Sequence, residues 1–510
     1  MKHLKRALSL LLVAAMLALT AVSCGNSAEP SDPQNTTTAV VGSEATTTAA
    51  TEQATETTKD PAAHDLPDDL NYTGETVNII SRDSDWVRDE IWVTEINGDV
   101  VNDAVFARNA AVEEQLGLKI NNIFISGDDN YAVSDKVRTA VKAGSDEFDI
   151  LANSVYSTIM YSAENIFHNL YDCEYLDLTK PYWAQGFNEA ASIGDGQYMC
   201  TGAAALTLYR YMFVTFFNKD MMAEVTDVNL YEVVNNDKWT LEYHYDLAAQ
   251  FYSDLNGNGQ QDDADRYGFV CTNVAYIDPY WSSCELPILT KDENNEYVYS
   301  INMERLSAAV DLILKLWYDC EGSHIFASVS DAANQVIGTS AIAERRSATT
   351  TLRLVSVESD DFRNMTDRYG IIPIPKMEET QEGYQTFLHD QFTAFGIVST
   401  VKESRLQMMG AFLEAMAAES YKSLVPTYYE LALKTKYVSD EESGQMLDMI
   451  YKSIYIDAGV LYTKSLSSIH QALRSTIQAE NNIVASLFSA TGKVVQKMLV
   501  KLNDGLTSIQ

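Results

Sequence analysis

Between residues 76 and 151, short segments rich in β-branched residues alternate with segments of helical periodicity. This alternation constrains the fold more than any other feature of the sequence. It predicts strands at 76–81, 119–125 and 148–151 and helices at 99–116 and 135–143. Strand, helix, strand, helix, strand at this spacing is typical of right-handed βαβ units with a mainly parallel sheet. Later amphipathic helices are predicted at 303–318, 407–418 and much of 472–502. The body is therefore expected to be α/β.

The charge balance excludes several classes of partner. Acidic residues outnumber basic ones by 72 to 36 in a chain of 510, which leaves a formal charge of −36. Nucleic-acid binding needs a basic face to neutralise phosphates, and an anionic bilayer repels such a body. Only one segment is apolar enough to enter a membrane, and it lies at the N-terminus, so a polytopic membrane protein is also excluded.

The N-terminus has the pattern of an export signal. Lys2, Lys5 and Arg6 precede an apolar run at 7–21, which is shorter than the ~20 residues of a spanning helix. The following Ala-Val-Ser-Cys-Gly resembles a bacterial lipobox, although Ala21 stands where Leu is usual. The resemblance implies a signal peptide at 1–24 and a lipid, such as palmitate, on Cys24. A plain secretory signal is the alternative.

A polar tether is predicted at 25–70. The segment has no aromatic residue and carries ten threonines between Thr36 and Thr58. Such a composition buries too little apolar surface to offset the entropy of ordering, so the tether is expected to be disordered. The lipid would hold the body at the outer face of the cytoplasmic membrane.

The five cysteines beyond Cys24 contain no CxxC pair, which gives zinc ribbons and thioredoxin-like sites no support. Their odd number leaves at least one thiol free, and most are expected to be buried apolar residues.

Residues 254–265 match a 12-position calcium loop. Hard oxygen ligands at alternating positions suit Ca²⁺, and Gly259 stands at position 6, where a sharp turn is needed. The predicted ligands are Asp254, Asn256, Asn258, Gln260 through its carbonyl, Asp262 and Asp265. Asp265 replaces the usual Glu at position 12, so the affinity could be modest. A structural Ca²⁺ is predicted, and an Asn/Asp/Gly turn without metal is the alternative.

Four segments of the body resemble those of extracellular solute-binding proteins of the sugar-binding, family 1-like class, which serve ABC importers. They are Glu-Glu-Gln-Leu-Gly at 113–117, Phe-Phe-Asn-Lys-Asp at 216–220, Lys-Trp-Thr at 238–240, and Tyr-Gly-Ile-Ile-Pro-Ile-Pro-Lys at 369–376. Each segment alone is weak, whereas their order and spacing over 72–510 are fairly specific.

This resemblance implies a periplasmic-binding-protein-like fold of two α/β lobes with a ligand cleft between them. The predicted lobes are 71–203 plus 347–415 and 204–346 plus 416–510, with hinge crossings near Ala203, Arg346 and Ala415. The implied function is capture of a solute, first of all a neutral oligosaccharide, and its delivery to membrane permease subunits. A monomer with no enzymatic activity is expected.

Cleft residues are predicted from their places after strands or near the crossings, because sugars stack on aromatic rings and bind polar side chains through hydroxyl groups. The candidates are Trp86, Asn153, Tyr156, Tyr209, Tyr211, Tyr280, Trp281, Arg345, and Asp390 and Gln391, which follow His389. Core packing is the alternative for each, and Trp239 and Trp317 are expected in the core.

Two other functions stay open. A glycan-acting hydrolase needs a carboxylate pair roughly 5–10 Å apart, which no motif singles out. No HExxH, GxSxG, P-loop or GxGxxG motif occurs. A non-transport adhesin predicts a filled cleft. Peptides and other solutes remain alternatives to oligosaccharides.

Overall fold

The computed structural model describes residues 62–84, 87, 89–127, 130–327, 329–434 and 441–508. The predicted signal peptide, Cys24, most of the tether and the candidate Trp86 lie outside the described residues. None of the helices described is both long and apolar enough to span a bilayer.

Eleven strands are described. They are β1 (Thr76–Asp83), β2 (Lys119–Ser126), β3 (Ile150–Ser154), β4 (Phe213–Asn218), β5 (Tyr267–Thr272), β6 (Leu289–Lys291), β7 (Tyr297–Tyr299), β8 (Ser323–Phe326), β9 (Ser347–Arg353), β10 (Tyr369–Ile372) and β11 (Thr393–Ile397).

The strands form two main sheets and one hairpin. The first sheet has the order β11-β3-β1-β2, the second β10-β4-β9-β5-β8, and β6 pairs with β7. In the first sheet β1 runs parallel to β2 and β3, with Thr76 opposite Lys119, while β11 is antiparallel to β3. In the second sheet β5 is parallel to β8 and β9, and β4 is antiparallel to β9 and β10. The predicted parallel βαβ start is confirmed, and the antiparallel strands were not predicted.

Eighteen α-helices are described. They are α1 (Val100–Leu116), α2 (Asn130–Lys142), α3 (Val155–Thr158), α4 (Gln185–Ala191), α5 (Leu206–Arg210), α6 (Lys219–Val225), α7 (Leu230–Asn235), α8 (Leu241–Ala248), α9 (Pro279–Ser283), α10 (Met303–Trp317), α11 (Asp331–Ala343), α12 (Asp360–Asn364), α13 (Glu403–Glu419), α14 (Val425–Lys434), α15 (Glu441–Lys452), α16 (Ala458–Leu461), α17 (Gln471–Gln478) and α18 (Val484–Thr507). A π-helical turn, Ser420–Leu424, joins α13 to α14.

Local signals explain why α1 begins and ends where it does. The side chain of Asp99 accepts hydrogen bonds from the backbone N–H groups of Val101 and Asn102, each at 3.0 Å. At the other end Gly117 adopts φ 68°, a left-handed conformation that favours glycine. The prediction for 99–116 is confirmed, whereas the helix predicted over 472–502 is two helices, α17 and α18.

The predicted lobe boundaries need one correction. We predicted residues 347–415 to lie with the first lobe, but β9 and β10 pair with β4 and β5 in the second sheet. The chain returns to the first sheet only at β11. The second crossing therefore lies between β10 and β11 and not near Arg346.

The core confirms two other expectations. Trp239 and Trp317 are almost fully buried, as predicted. The five described cysteines are also buried and have free thiols.

Gly322 lets α8 approach the second sheet. Its carbonyl accepts hydrogen bonds from the backbone N–H groups of Gly268 and Phe269, at 2.8 and 3.0 Å. A Cβ on Gly322 would lie only 1.9 Å from the carbonyl oxygen of Ala248, at the end of α8. Because the clashing oxygen belongs to the backbone, rotation of a side chain cannot relieve the clash.

We therefore expect Gly322→Ala to lower the free energy of unfolding by at least about 1–3 kcal/mol, the usual cost of overpacking. Urea unfolding followed by circular dichroism measures it. Gly444→Ala is the matched control, because that α15 glycine has open space around it. Alanine there should raise stability by up to about 1 kcal/mol. Equal stability of Gly322→Ala and wild type would contradict this account.

Candidate functional site

A cavity of about 460 Å³ lies where the strand ends of the two sheets meet. Its volume falls in the range of about 300–1,000 Å³ that is usual for small-molecule sites. Its lining comes from both sheets and from α17: Arg82, Ser84, Asn130, Tyr156, Val274, Ala275, Val329, Ser330, Asp331, Ala332, Asn334, His389, Asp390, Gln391, Gln471 and Arg474.

The position of the cavity follows from the strand directions. β1 and β3 of the first sheet, and β5 and β8 of the second, end at it. Ligands in α/β folds bind outside the carboxyl ends of parallel strands, because the loops there are free to carry polar side chains. The cavity is thus where this topology favours a ligand.

Arg82 anchors the wall that the first sheet contributes. Its guanidinium donates from Nη1 to Oδ1 of Asn130 at 2.7 Å and from Nη2 to the carbonyl oxygen of Gln391 at 2.6 Å. A longer bond of 3.3 Å reaches Oγ1 of Thr393. Burial lowers the pKa of Arg82, and nearby Glu90 opposes that shift. These bonds hold the end of β1, the start of α2 and the start of β11 together.

Tyr156 supplies the aromatic face of this wall. The Nζ of Lys464 lies 4.4 Å from the centroid of its ring, and Tyr131 packs edge-on at 6.0 Å. The backbone N–H of Tyr156 donates to the carbonyl oxygen of Asp390 at 3.0 Å. The ring is therefore held in place beside the cavity.

The second sheet contributes polar groups from the start of α11. Asp331 accepts a hydrogen bond from Nη2 of Arg353, the last residue of β9, at 2.9 Å. Oδ1 of Asn334 accepts from the backbone N–H of Val329 at 3.1 Å. The Arg353 guanidinium also lies over the ring of Tyr211, 5.5 Å from its centroid.

A buried ion pair closes the third side. Arg474 of α17 donates from Nε to Oδ1 of Asp278 at 2.6 Å and from Nη2 to Oδ2. The side chain of Asp278 is only 3% exposed. Two parallel hydrogen bonds give this pair a fixed geometry, and they tie α17 to the loop that precedes α9.

Asp390 stands apart from these paired groups. Burial raises its pKa to about 7. Its carboxylate oxygens lie 3.8 Å from Nδ1 of His389 and 3.9 Å from Nε2 of His470, beyond hydrogen-bond length. Burial also lowers the pKa of both imidazoles, to about 4 for His470. Both rings are therefore neutral near pH 7.

Three of the predicted cleft residues line the cavity: Tyr156, Asp390 and Gln391. Two more lie close behind its wall. Asn153 is fully buried and donates from Nδ2 to the carbonyl oxygen of Asn130 and to Oγ of Ser134. Tyr211 is buried edge-on to His389.

The other four described candidates lie elsewhere. Tyr209 stacks on Tyr451 in the core. Tyr280 accepts a hydrogen bond from Nε1 of Trp317, and Trp281 donates from Nε1 to the carbonyl oxygen of His470. Arg345 pairs with Glu224 and Asp367 away from the cavity. The first three are core side chains because their rings fill space between elements.

Four further residues line the cavity and were not predicted from the sequence: Arg82, Asp331, Asn334 and Arg474. Arg82 carried a usable signal, since it is a charged residue at the carboxyl end of a strand. Asp331 and Asn334 begin a helix after β8, a strand that was not predicted. No sequence pattern around Arg474 indicated a site, because α17 lies beside the cavity only as a result of how it packs against the rest of the fold.

The predicted calcium loop forms a compact turn. Asp254 accepts hydrogen bonds from the backbone N–H groups of Gly257 and Gly259, at 2.6 and 2.8 Å. Gly259 has φ 71°, as the predicted sharp turn requires. Asp262 accepts from the side-chain amides of Asn256 and Asn258.

The buried Asp265 closes the loop by accepting from the backbone N–H of Leu255 at 3.1 Å. Among the described residues no group of three His, Cys, Asp or Glu side chains could hold a metal ion. The predicted loop relies on Asn and carbonyl oxygens as well, so calcium stays a prediction.

Solved structures of the same fold exist. A solute-binding protein of an ABC transporter from Thermotoga lettingae, bound to α-D-tagatose, is similar with a TM-score of 0.52 and 14% identity, over 83% of this chain and 100% of that one. The GacH receptor of Streptomyces glaucescens, solved unliganded and with acarbose, gives 0.53 and 13%, over 84% and 99%. An ABC substrate-binding protein from Listeria monocytogenes, in complex with cycloalternan, gives 0.50 and 12%, over 86% and 99%.

No protein-family model and no curated protein sequence matches the chain. The structural likeness shows that the chain has the two-lobe α/β fold of ABC-transporter solute-binding proteins, as the sequence predicted.

We expect Arg474→Met to lower the free energy of unfolding by about 3–5 kcal/mol, because it leaves the buried Asp278 carboxylate without its partner. The double variant Arg474→Met, Asp278→Asn should recover much of this loss, since no unpaired charge remains. Urea unfolding of both variants and of wild type measures the difference. A single variant as stable as the double variant would contradict a structural role for the pair.

Proposed function

We propose that this protein captures a sugar, most simply an oligosaccharide, in the cavity between its two sheets and delivers it to the permease of an ABC importer. The observation that carries the proposal is the cavity itself, whose polar lining comes from both sheets. Proteins of the same fold bind tagatose, acarbose and cycloalternan. The protein acts by binding and release, and no covalent step is involved.

The lining suits a sugar in chemical terms. A pyranose has an apolar face and a rim of hydroxyl groups, so it needs an aromatic ring together with hydrogen-bonding side chains. Tyr156 offers the ring, while Asp390, Asn334 and Arg82 offer polar groups. The polar majority in the lining favours a hydroxyl-rich solute over an apolar one.

Capture is coupled to shape because the walls belong to different sheets. A solute that contacts both walls stabilises the arrangement in which they are close together. The permease then recognises the closed, loaded form. An adhesin needs no such cavity, and a filled cleft would have favoured that alternative.

Export and anchoring complete the proposal. The signal peptide at 1–24 directs the chain out of the cytoplasm, and a lipid on Cys24 attaches it to the outer face of the membrane. The tether is shorter than the predicted 25–70, because Leu66 is buried in the core and Asp65 pairs with Lys180. The residues before Asp65 would link the lipid to the body, which acts as a monomer. Sequence alone supports these steps.

A calcium ion in the loop at 254–265 is a second part of the proposal. The backbone turns at Gly257 and Gly259 with φ 70° and 71°, as a loop that wraps an ion requires. For Ca²⁺ to bind, the amides of Asn256 and Asn258 would turn their oxygens inward in place of the N–H groups that now contact Asp262. The ion would brace the loop and take no part in solute binding.

Tyr156→Ala should weaken sugar binding at least about tenfold, because loss of a stacked ring costs upwards of about 1.4 kcal/mol. Isothermal titration calorimetry with maltotetraose and with D-tagatose measures the dissociation constants. Tyr171→Ala is the matched control, since Tyr171 is 53% exposed and does not line the cavity. Equal effects of the two substitutions would contradict the proposed site.

Asp254→Ala should weaken Ca²⁺ binding at least about tenfold by removing a ligand and its charge. The measurement is calorimetric titration of chelator-treated protein together with its thermal midpoint. At one hundred times the dissociation constant, Ca²⁺ should stabilise wild type by about 2.7 kcal/mol. Asp263→Ala is the control, because Asp263 contacts His324 and is not a predicted ligand. No heat and no stabilisation at millimolar Ca²⁺ would rule the site out.

A further inference from the structure

Three polar side chains meet at one point of the cavity wall without forming hydrogen bonds to one another. Asp390 lies between His389 and His470, with its carboxylate oxygens 3.8 and 3.9 Å from the facing ring nitrogens. Those nitrogens, Nδ1 of His389 and Nε2 of His470, are buried and have no hydrogen-bond partner in the described part of the chain.

The surrounding contacts hold the cluster in this arrangement. Nδ1 of His470 is hydrogen-bonded to Oγ1 of Thr463 at 2.5 Å, and the backbone N–H of His389 donates to the carbonyl oxygen of Tyr211 at 3.1 Å. The bond to Thr463 holds the ring of His470, and the rings of Tyr211 and Phe213 pack against that of His389, with centroids 5.8 and 6.0 Å away. Within the described residues no group donates a hydrogen bond to the Asp390 carboxylate.

Buried polar groups in folded proteins almost always have a partner, so an unsatisfied group calls for one. Asp390 is only 8% exposed, and it lines the cavity. A partner can therefore reach its carboxylate through the cavity.

We propose that the solute donates two neighbouring hydroxyl groups to the ionised carboxylate of Asp390, and that binding therefore releases the proton that this carboxyl group holds in the empty protein. This inference rests on the proposed capture of a sugar and names the group that recognises it. The proton passes from the Asp390 carboxyl group to the solvent, and no other bond forms or breaks.

An ionised carboxylate is the better acceptor for such a pair. Hydrogen bonds to a charged acceptor are roughly twice as strong as those between neutral groups, and a carboxylate offers two oxygens side by side. A protonated carboxyl group would use one oxygen as a donor and present only one good acceptor. Binding to the ionised form is therefore favoured.

The groups around Asp390 have opposing effects on the ionisation of its carboxyl group in the empty protein. Burial opposes ionisation, as do the carboxylates of Asp278 and Asp331, whereas Arg474 and Lys464 favour it. Together these effects raise the pKa of Asp390 to about 7. Hydrogen bonds donated by two hydroxyl groups would favour the ionised form of this carboxyl group.

The neighbouring histidines do not compete for this proton. Burial lowers the pKa of His389 well below its usual value, with Arg353 and Arg474 adding to the shift. Burial likewise lowers the pKa of His470, to about 4. Near pH 7 both rings are therefore neutral, and Asp390 is the group of the three that titrates there.

Affinity should then rise with pH, by up to about tenfold per pH unit below pH 7, and level off above it. The test is titration calorimetry of the full-length protein with maltotetraose and with D-tagatose between pH 5.5 and 8.5. Each pH is measured in two buffers of different ionisation enthalpy, so that the heat difference counts the protons exchanged. We expect close to one proton released at pH 6 and almost none at pH 8.5.

Asp390→Asn should bind sugar more weakly and release no proton at any pH. Asp457→Asn is the matched control, because Asp457 is another buried carboxyl group with a raised pKa, of about 6. It accepts backbone hydrogen bonds from Ile288 and Gly459 and does not line this cavity. Proton release on sugar binding should survive that substitution.

The ligand-free protein supplies an independent measurement. A carboxyl group with a raised pKa in the folded state binds more protons folded than unfolded, so its contribution to stability is lost as pH rises from about 4 to 7. The thermal midpoint of wild type should therefore fall relative to that of Asp390→Asn across this range. Parallel curves would overturn the inference.

The remaining outcomes separate the two proposals. Sugar binding with equal heats in both buffers at pH 6 overturns proton release and leaves sugar capture standing. Failure of both sugars to bind at every pH overturns sugar capture, and with it the inference that depends on it.

Discussion

The carboxyl ends of parallel strands in two separate sheets meet at one cavity, and the rest of the site depends on this constraint. Parallel strands return through helices, so their ends carry short loops and helix starts that can present polar side chains. Arg82 lies near the end of β1, Tyr156 follows β3 and Asp331 follows β8. Residues that are distant in sequence thus become neighbours without any of them belonging to a common motif.

Most charged side chains at the cavity are paired with an opposite charge of the protein itself. This pairing determines which of them are available to bind a solute. Arg474 is held by Asp278 and Arg353 by Asp331, so these groups shape the walls. Asp390 has two neutral histidines beside it, and neither ring nitrogen that faces it lies within hydrogen-bond length of its carboxylate. On the proposed function, the solute supplies hydrogen-bond donors to this carboxylate.

Local elements could be predicted from the sequence, whereas long-range pairing could not. Asp99 and Gly117 mark both ends of α1 by chemistry that lies within the helix itself. The pairing of β9 and β10 with β4 joins segments more than a hundred residues apart, so the lobe boundary at 347 was wrong. Tyr156 and Tyr209 look alike in sequence, yet only the packing of α14 and α15 sends Tyr209 into the core. Arg82 was within reach, because it directly follows the strand predicted at 76–81.

The central claim is that one solute is held between walls contributed by both sheets. A crystal structure of the full-length protein with bound maltotetraose tests this most directly. The account predicts electron density for the sugar in the cavity, in contact with Tyr156 and Asp390 on one side and with Asp331 or Asn334 on the other. Density on an outer surface, or contacts with the elements of only one sheet, would contradict it.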